Sequence, residues 1–298
     1  MALFTEDQLQ KTDTVSASGE PSAARGAPWE HLYIYYLKGR ADTRDAEFNE
    51  TFIGTWEEDD CSFLFFYRPA DEAVAEFVGG RNDLVLADRF DMAYDQWQPM
   101  DAFPLQAGGM TIYSPWRGHT PDKDTGTIVL DPGVVFGSGF HSTTRDCLEA
   151  LELICYKYNN KIQTALDIGT GTGLLAIAGA FRAIPEIVGV DLNFLAARTA
   201  RQNIKLNNVD KHVIIVKGDA EDFTDTGVDL IIANIHHSAM KKIVNAERFL
   251  QSKFFILSGM LRTPARDIAD QLGKLPVRIT KIWNNDGIWY TFAGEITS

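Results

Sequence analysis

Beyond about residue 110, short apolar runs alternate with longer amphipathic stretches, and this alternation leaves few folds open. The runs are "TALDIG", "EIVGVDL", "HVIIVKGD", "DLIIAN" and "FFILSG". Each is nearly continuous in apolar residues, so each predicts a strand buried on both faces. Helical stretches between such strands imply a parallel sheet covered on both sides. The chain closes differently. "VRITKIW", "NNDG" and "IWYTFAGEI" read as two strands around an Asp-Gly turn, an antiparallel hairpin. The expectation is an α/β fold with a doubly wound, mostly parallel seven-stranded sheet ending in that hairpin. Upstream, "MTIYSPW" and "TIVLD" predict short strands, and residues 143–158 a helix with Ser142 or Thr143 as N-cap.

The first third reads otherwise. Residues 1–28 are rich in Ser, Thr, Ala, Gly and Pro, which predicts a flexible leader. Strands are expected at "HLYIYYL", "CSFLFFYR" and "DLVLA", with helices over 42–52 and at "ADEAVAEFV". That order, strand–helix–strand–helix–strand, suggests a small α+β domain over 29–95. Residues 96–109, with two prolines and a Gly pair, read as a linker to a domain over 110–298.

Charge separates the same two regions. Residues 1–120 hold 21 Asp and Glu against 9 Lys and Arg, whereas the remainder holds 20 against 19. Clustered cations for nucleic acid are missing. The acidic first part fits either a basic protein partner or an ordinary solvated surface. The sequence holds no apolar run of about eighteen residues, so no membrane span is expected. The N-terminus lacks the apolar segment of a secretory signal. Cys61, Cys147 and Cys155 show no metal-ligand spacing and suggest a reducing cytoplasm.

The loop "DIGTGTG" carries the first chemical signal. Gly169, Gly171 and Gly173 allow positive φ and close approach of a ligand. A dinucleotide loop would place its third glycine at 174, which is Leu174, and a P-loop would need Gly-Lys-Ser/Thr. Asp167, just before the loop, would repel phosphate and attract a cation. S-adenosylmethionine has an ammonium, a sulfonium and no phosphate, so it is the expected ligand. Asp191, twenty-two residues after Gly169, can accept from ribose hydroxyls if Asn193 caps the helix that follows. Asp219 and the Ala220 backbone are placed for the adenine amino group. Thr170 within the loop and Leu192 beside Asp191 complete this predicted site. Asn234, ending "LIIAN", stands where an amide oxygen could orient an amine nucleophile beside the transferred methyl.

An earlier small-residue stretch, "LDPGVVFGSGFHSTTRDC", can fold back over the same sheet edge. Phe136, Gly137, Ser138 and Gly139 would cover the methionine end of the cofactor and exclude water. His141, Thr143 and Thr144 follow at the start of a helix.

"DPGVVFGSGFHSTTRDCLEALE", "ALDIGTGTGLLAIA", "VGVDLNFLAARTARQN" and "DLIIANI" together resemble the ribosomal protein L11 methyltransferase family. The resemblance spans about residues 96–298 by motif and the first domain by arrangement only. It implies a Rossmann-like methyltransferase domain and a first domain that recognises the substrate. It also implies methylation of amino groups, at Lys side chains or the N-terminus, of the ribosomal protein. Asn234, Phe136 and Ser138 are then the candidate catalytic residues, and Phe136, Gly137 and Thr143 join the cofactor contacts. Five positions depart from the family pattern: Ser138 for Thr, Phe140 for Thr, Ser142 for Pro, and His236 and His237 for small or apolar residues. No metal is implied. Two other readings compete: a same-fold methyltransferase for a small molecule or another protein, and a non-catalytic cofactor-binding adaptor.

Overall fold

The computed structural model describes residues 27–44, 46–58, 60–117, 126–158, 161–219, 222 and 227–297. The predicted leader therefore lies almost wholly outside the described residues, as does Ala220. The chain forms two compact units. Described residues up to Asp101, with Trp116 and Arg117, make the first; Ala102–Pro115 and the described residues from Gly126 onward make the second. Among the described residues no helix is long and apolar enough to cross a membrane.

The first unit contains β1 (His31–Lys38), β2 (Phe52–Glu58), β3 (Cys61–Phe66), α1 (Asp71–Gly79) and β4 (Val85–Ala93). The strands form an antiparallel sheet in the order β2-β3-β1-β4. Tyr33, Tyr35 and Leu37 of β1 join Leu64, Phe66 and Val74 in its core. The helix expected over 42–52 is not present in the described residues of that stretch; a loop leads into β2 instead. Phe48 and Phe52 sit four apart, as on a helix face, yet Phe48 lies in a loop and Phe52 opens β2. Their rings lie 4.7 Å from each other and both meet Phe66. The order is thus strand–strand–strand–helix–strand. Residues 96–109, read as a linker, hold elements of their own: a 3-10 turn at Met100–Ala102 and the strand β5 (Leu105–Ala107).

In the second unit, β5 pairs with β6 (Met110–Tyr113), and β6 with β7 (Thr127–Val129), in a small sheet. Then come α2 (Ser142–Lys157), β8 (Thr164–Ile168), α3 (Leu174–Phe181), β9 (Glu186–Asp191), α4 (Phe194–Leu206) and β10 (Val213–Lys217). After these follow β11 (Leu230–Asn234), α5 (His237–Asn245), β12 (Phe254–Leu261), α6 (Arg262–Leu272), β13 (Val277–Asn285) and β14 (Trp289–Ile296). The large sheet has the order β10-β9-β8-β11-β12-β14-β13. Its first five strands run parallel, and β14 is antiparallel to both neighbours. Leu166, Ile168, Ile231, Ala233, Phe255 and Leu257 from the central strands pack with Met240, Ile243, Ile268 and Leu272 from α5 and α6.

This strand order positions the site. From β8 the chain winds outward to β9 and β10, then returns to place β11 on the other side of β8. The crevice at such a switch point, outside the carboxyl ends of the strands, is where open α/β sheets bind ligands. Here it is flanked by the β8–α3 loop and by Asn234.

Candidate active site

The β8–α3 loop is tied down at every amide. Gly169 and Thr170 N–H donate to Val190 C=O at 2.8 and 3.0 Å. Gly171 N–H donates to Asp191 Oδ2 at 3.0 Å. Thr172 and Gly173 N–H donate to the carbonyls of Phe136 and Thr170 at 3.1 and 2.8 Å. A phosphate-binding loop keeps such N–H groups for its ligand; this one has spent all five. The glycines are needed for space as well as for φ. A Cβ on Gly171, where φ is +55°, would lie 2.5 Å from Phe136 O, and one on Gly169 would lie 2.3 Å from Ile235 Cγ2.

The charge in the cradle is negative. Asp167 is 1% exposed. Its Oδ2 accepts from Thr170 Oγ1 at 2.6 Å, while no donor satisfies Oδ1 among the described residues. Burial pushes its carboxyl up to about 6, against the pull of the Thr170 hydroxyl and the Ala176 N–H. A cation brought to Oδ1 would relieve that cost. Asp191, half-buried at the end of β9, accepts from Asn193 N–H through Oδ1 at 2.9 Å and from Gly171 N–H through Oδ2. Burial raises its carboxyl too, against these two bonds. Each oxygen keeps a lone pair for a diol. Asn193 caps α4, accepting from Leu195 N–H at 2.9 Å, so Asp191 is not needed as a cap. Leu192 beside it is 67% exposed, an apolar face at the strand end. Asp219 follows β10, whose end is joined to β9 by Gly218 N–H donating to Asp191 O at 3.0 Å.

The earlier small-residue stretch does lie on the loop. Besides the Thr172-to-Phe136 bond, Thr172 Oγ1 donates to Gly137 O at 2.7 Å. Ser138 is buried between Gly137 and Gly139, both at positive φ, whereas Phe136 is 40% exposed. Helix α2 begins at Ser142 with His141 as N-cap, in place of the expected Ser142 or Thr143. The imidazole out-competes the hydroxyls because Nδ1 reaches Thr143 N–H at 3.3 Å and Thr143 Oγ1 at 2.7 Å. Desolvation and the Arg145 charge hold His141 below the ordinary histidine range, which favours the neutral acceptor form. Thr143, expected on the cofactor, is buried with its hydroxyl on His141. Phe140 packs on Phe103 with ring centres 4.7 Å apart.

Asn234 ends β11, half-buried, and its Nδ2 donates to Thr144 Oγ1 at 3.3 Å. His236 caps α5 and pairs through Nδ1 with Ser238 Oγ at 3.1 Å. His237 Nε2 lies 3.7 Å from Asp267 Oδ2.

Two residues that sequence reasoning passed over hold the site together. Asn203, fully buried on α4, accepts from Asp131 N–H and donates to the carbonyls of Asp131 and Thr172, all at 2.9 Å. One side chain thereby joins both loops. Asn207, one turn on, brackets Val129 in the same way. The available signal was a pair of asparagines four apart in "RQNIKLNN" on a helix face that is otherwise apolar.

The arrangement can therefore hold a phosphate-free nucleoside that carries an ammonium group, with an amide at the reacting end. Comparison with known proteins agrees. The model of the ribosomal protein L11 methyltransferase (PrmA) family matches residues 80–296. A ribosomal protein L11 methyltransferase of Clostridium perfringens (strain SM101 / Type A) is 33% identical over 196 residues, 65% of this chain and 61% of the relative. One of Bacillus licheniformis is 34% identical over 175 residues, 58% and 55% of the two chains. The matches thus span about 61% or less of these relatives' length. The crystal structure of a ribosomal protein L11 methylase from Lactobacillus delbrueckii subsp. bulgaricus superposes with a TM-score of 0.55 at 25% identity, covering 64% of this chain and 96% of that one.

Proposed function

The chain belongs to the ribosomal protein L11 methyltransferase family, and from that premise we propose that it transfers methyl groups from S-adenosylmethionine to amino groups of ribosomal protein L11. The acceptors are Lys side chains or the N-terminal amine. The observation that carries the reading is the cradle itself: five loop amides satisfied within the protein, beside a buried carboxylate oxygen without a donor.

S-adenosylmethionine supplies a methyl group already activated on a sulfonium. The chain's residues do the rest by placement. Asp167 takes the ammonium, Asp191 the ribose diol, and Asp219 with Ala220 the adenine edge. Gly169, Thr170, Gly171 and Gly173 form the floor, and Leu192 an apolar wall. Phe136, Gly137 and Ser138 cover the methionine end, with Thr143 behind them at the helix start. Asn234 accepts an N–H of the attacking amine and aims its lone pair. A lysine must be neutral to attack, and its free pKa is about 10.4; the apolar cover favours the neutral form. Positioning of this kind can supply roughly 7–11 kcal/mol. The acidic first domain, 29–95, recruits the basic protein by complementary charge.

The test is methyl transfer from tritiated S-adenosylmethionine to purified ribosomal protein L11, with the product mapped by mass. Wild-type protein labels amines of the acceptor. Asn234→Ala loses turnover by about a hundredfold or more, as for loss of a positioning group, while cofactor binding persists. Label that appears only in small molecules when cell extract is offered would sink the substrate and keep the cofactor site.

A further inference from the structure

Asn234 can help an amine only if its carboxamide is turned the right way. With the oxygen toward the acceptor, it receives an N–H and leaves the nitrogen lone pair for the methyl carbon. With the NH2 group there, it would donate to that lone pair and quench the nucleophile. We infer that Thr144 is the positioning residue that sets this orientation, an inference that rests on the reading of Asn234 above.

Thr144 is 3% exposed, and its Oγ1 accepts from Asn234 Nδ2 at 3.3 Å. That bond engages the NH2 end and turns Oδ1 away from α2. On the Oδ1 side stands Gly259, at φ +84°, where a Cβ would lie only 3.0 Å from that oxygen. A residue without a side chain therefore borders the oxygen, and the hydroxyl borders the nitrogen.

The turn that carries the hydroxyl is held in place by a second set of contacts. Thr144 N–H donates to His141 O at 3.1 Å. The Ser258 hydroxyl lies 3.4 Å from the Thr143 carbonyl and 2.5 Å from Thr291 Oγ1, and its one proton serves one of these acceptors at a time. Thr291 Oγ1 and Asn285 Nδ2 donate to the buried Asp146 Oδ2 at 3.0 and 2.7 Å. The first turn of α2 is thus bound to β12, β13 and β14 by a polar chain, and Thr144 rides on that turn. Buried hydrogen-bonded networks rigidify the groups they include.

The experiment compares wild type, Thr144→Val and Thr144→Ser with ribosomal protein L11 as acceptor. Thr144→Val keeps the shape and loses the acceptor oxygen; kcat falls about tenfold, the worth of one hydrogen bond of this kind. KM for the acceptor and affinity for S-adenosylhomocysteine stay as in wild type. Thr144→Ser restores the hydroxyl and with it kcat, which loss of packing alone would not do. In parallel, the side-chain amide NMR signals of Asn234 are recorded, a readout that needs no acceptor; they shift in Thr144→Val and not in Thr144→Ser. Should Thr144→Val fail to fold, Thr144→Ala takes its place. Wild-type kcat in Thr144→Val, alongside an inactive Asn234→Ala, overturns the inference, as do unmoved Asn234 signals. If wild type leaves ribosomal protein L11 unlabelled, the functional reading falls, and the Asn234 signals alone decide whether Thr144 orients the amide.

Discussion

A carboxylate removed from water either gives up its charge or finds donors for both oxygens. Asp167 does neither completely. Thr170 serves one oxygen and the other waits, so the group sits near pKa 6, above its ordinary 3.8. The sign follows from the direction of the shift. Folding favours the protonated form more than the unfolded chain does, so the contribution to stability is present below 3.8 and is lost as pH rises through about 6. A ligand ammonium prefers the ionised form. Affinity for S-adenosylhomocysteine, which keeps that ammonium, is therefore expected to rise as pH increases through about 6 and level off above it. Asp167→Asn should bind more weakly and lose the rise. Calorimetric titration between pH 5 and 8 measures both; a flat profile for wild type would remove Asp167 from the ammonium site. This residue was legible in the sequence, because a carboxylate just before a small-residue loop is a signal independent of packing. Its unserved oxygen was not, since satisfaction depends on which donors the fold brings within reach.

At the level of elements, the instructive case is α4. Its sequence reads as an amphipathic helix with asparagine on the apolar face, and Asn203 there is fully buried and binds both loops. Asn203→Ala strands the buried Thr172 carbonyl and removes the partner of the part-buried Asp131 N–H and carbonyl. The expected cost is at least about 2 kcal/mol, from unmet buried polar groups, read as a lower denaturation midpoint in urea with an unchanged slope. Cofactor affinity should fall with it, because the two loops lose their common tie. Unchanged stability would mean the loops hold each other through Thr172 alone. The expected helix over 42–52 failed for the converse reason. Phe48 and Phe52 repeat at helical spacing, but their partners, Phe66 and Phe77, come from a strand and a different helix. Spacing along a chain cannot distinguish a helix face from a loop running into a strand that together deliver two rings to one core.

Across the whole molecule the uneven charge has a measurable consequence. If the acidic first part recruits a basic acceptor, the attraction acts over distances that salt controls: the Debye length shrinks from about 10 Å at 0.1 M to about 3 Å at 1 M. KM for ribosomal protein L11 is expected to rise steeply with ionic strength while kcat stays level, in a salt series of initial rates. A KM that ignores salt would return those carboxylates to the role of a solvated surface. What the sequence determined by itself is the part of the protein written in local pattern. Continuous apolar runs dictate buried parallel strands, small residues permit a tight loop, and carboxylates at strand ends mark where a cation and a diol can sit. Tertiary structure alone decided which polar groups meet. It set His141 rather than a hydroxyl on the end of α2, joined two loops through Asn203, left one oxygen of Asp167 unserved, and faced Thr144 toward Asn234. Those outcomes depend on distances between residues far apart in the chain, and a hydrogen bond survives or fails within a few tenths of an ångström, a margin that no spacing in a linear sequence encodes.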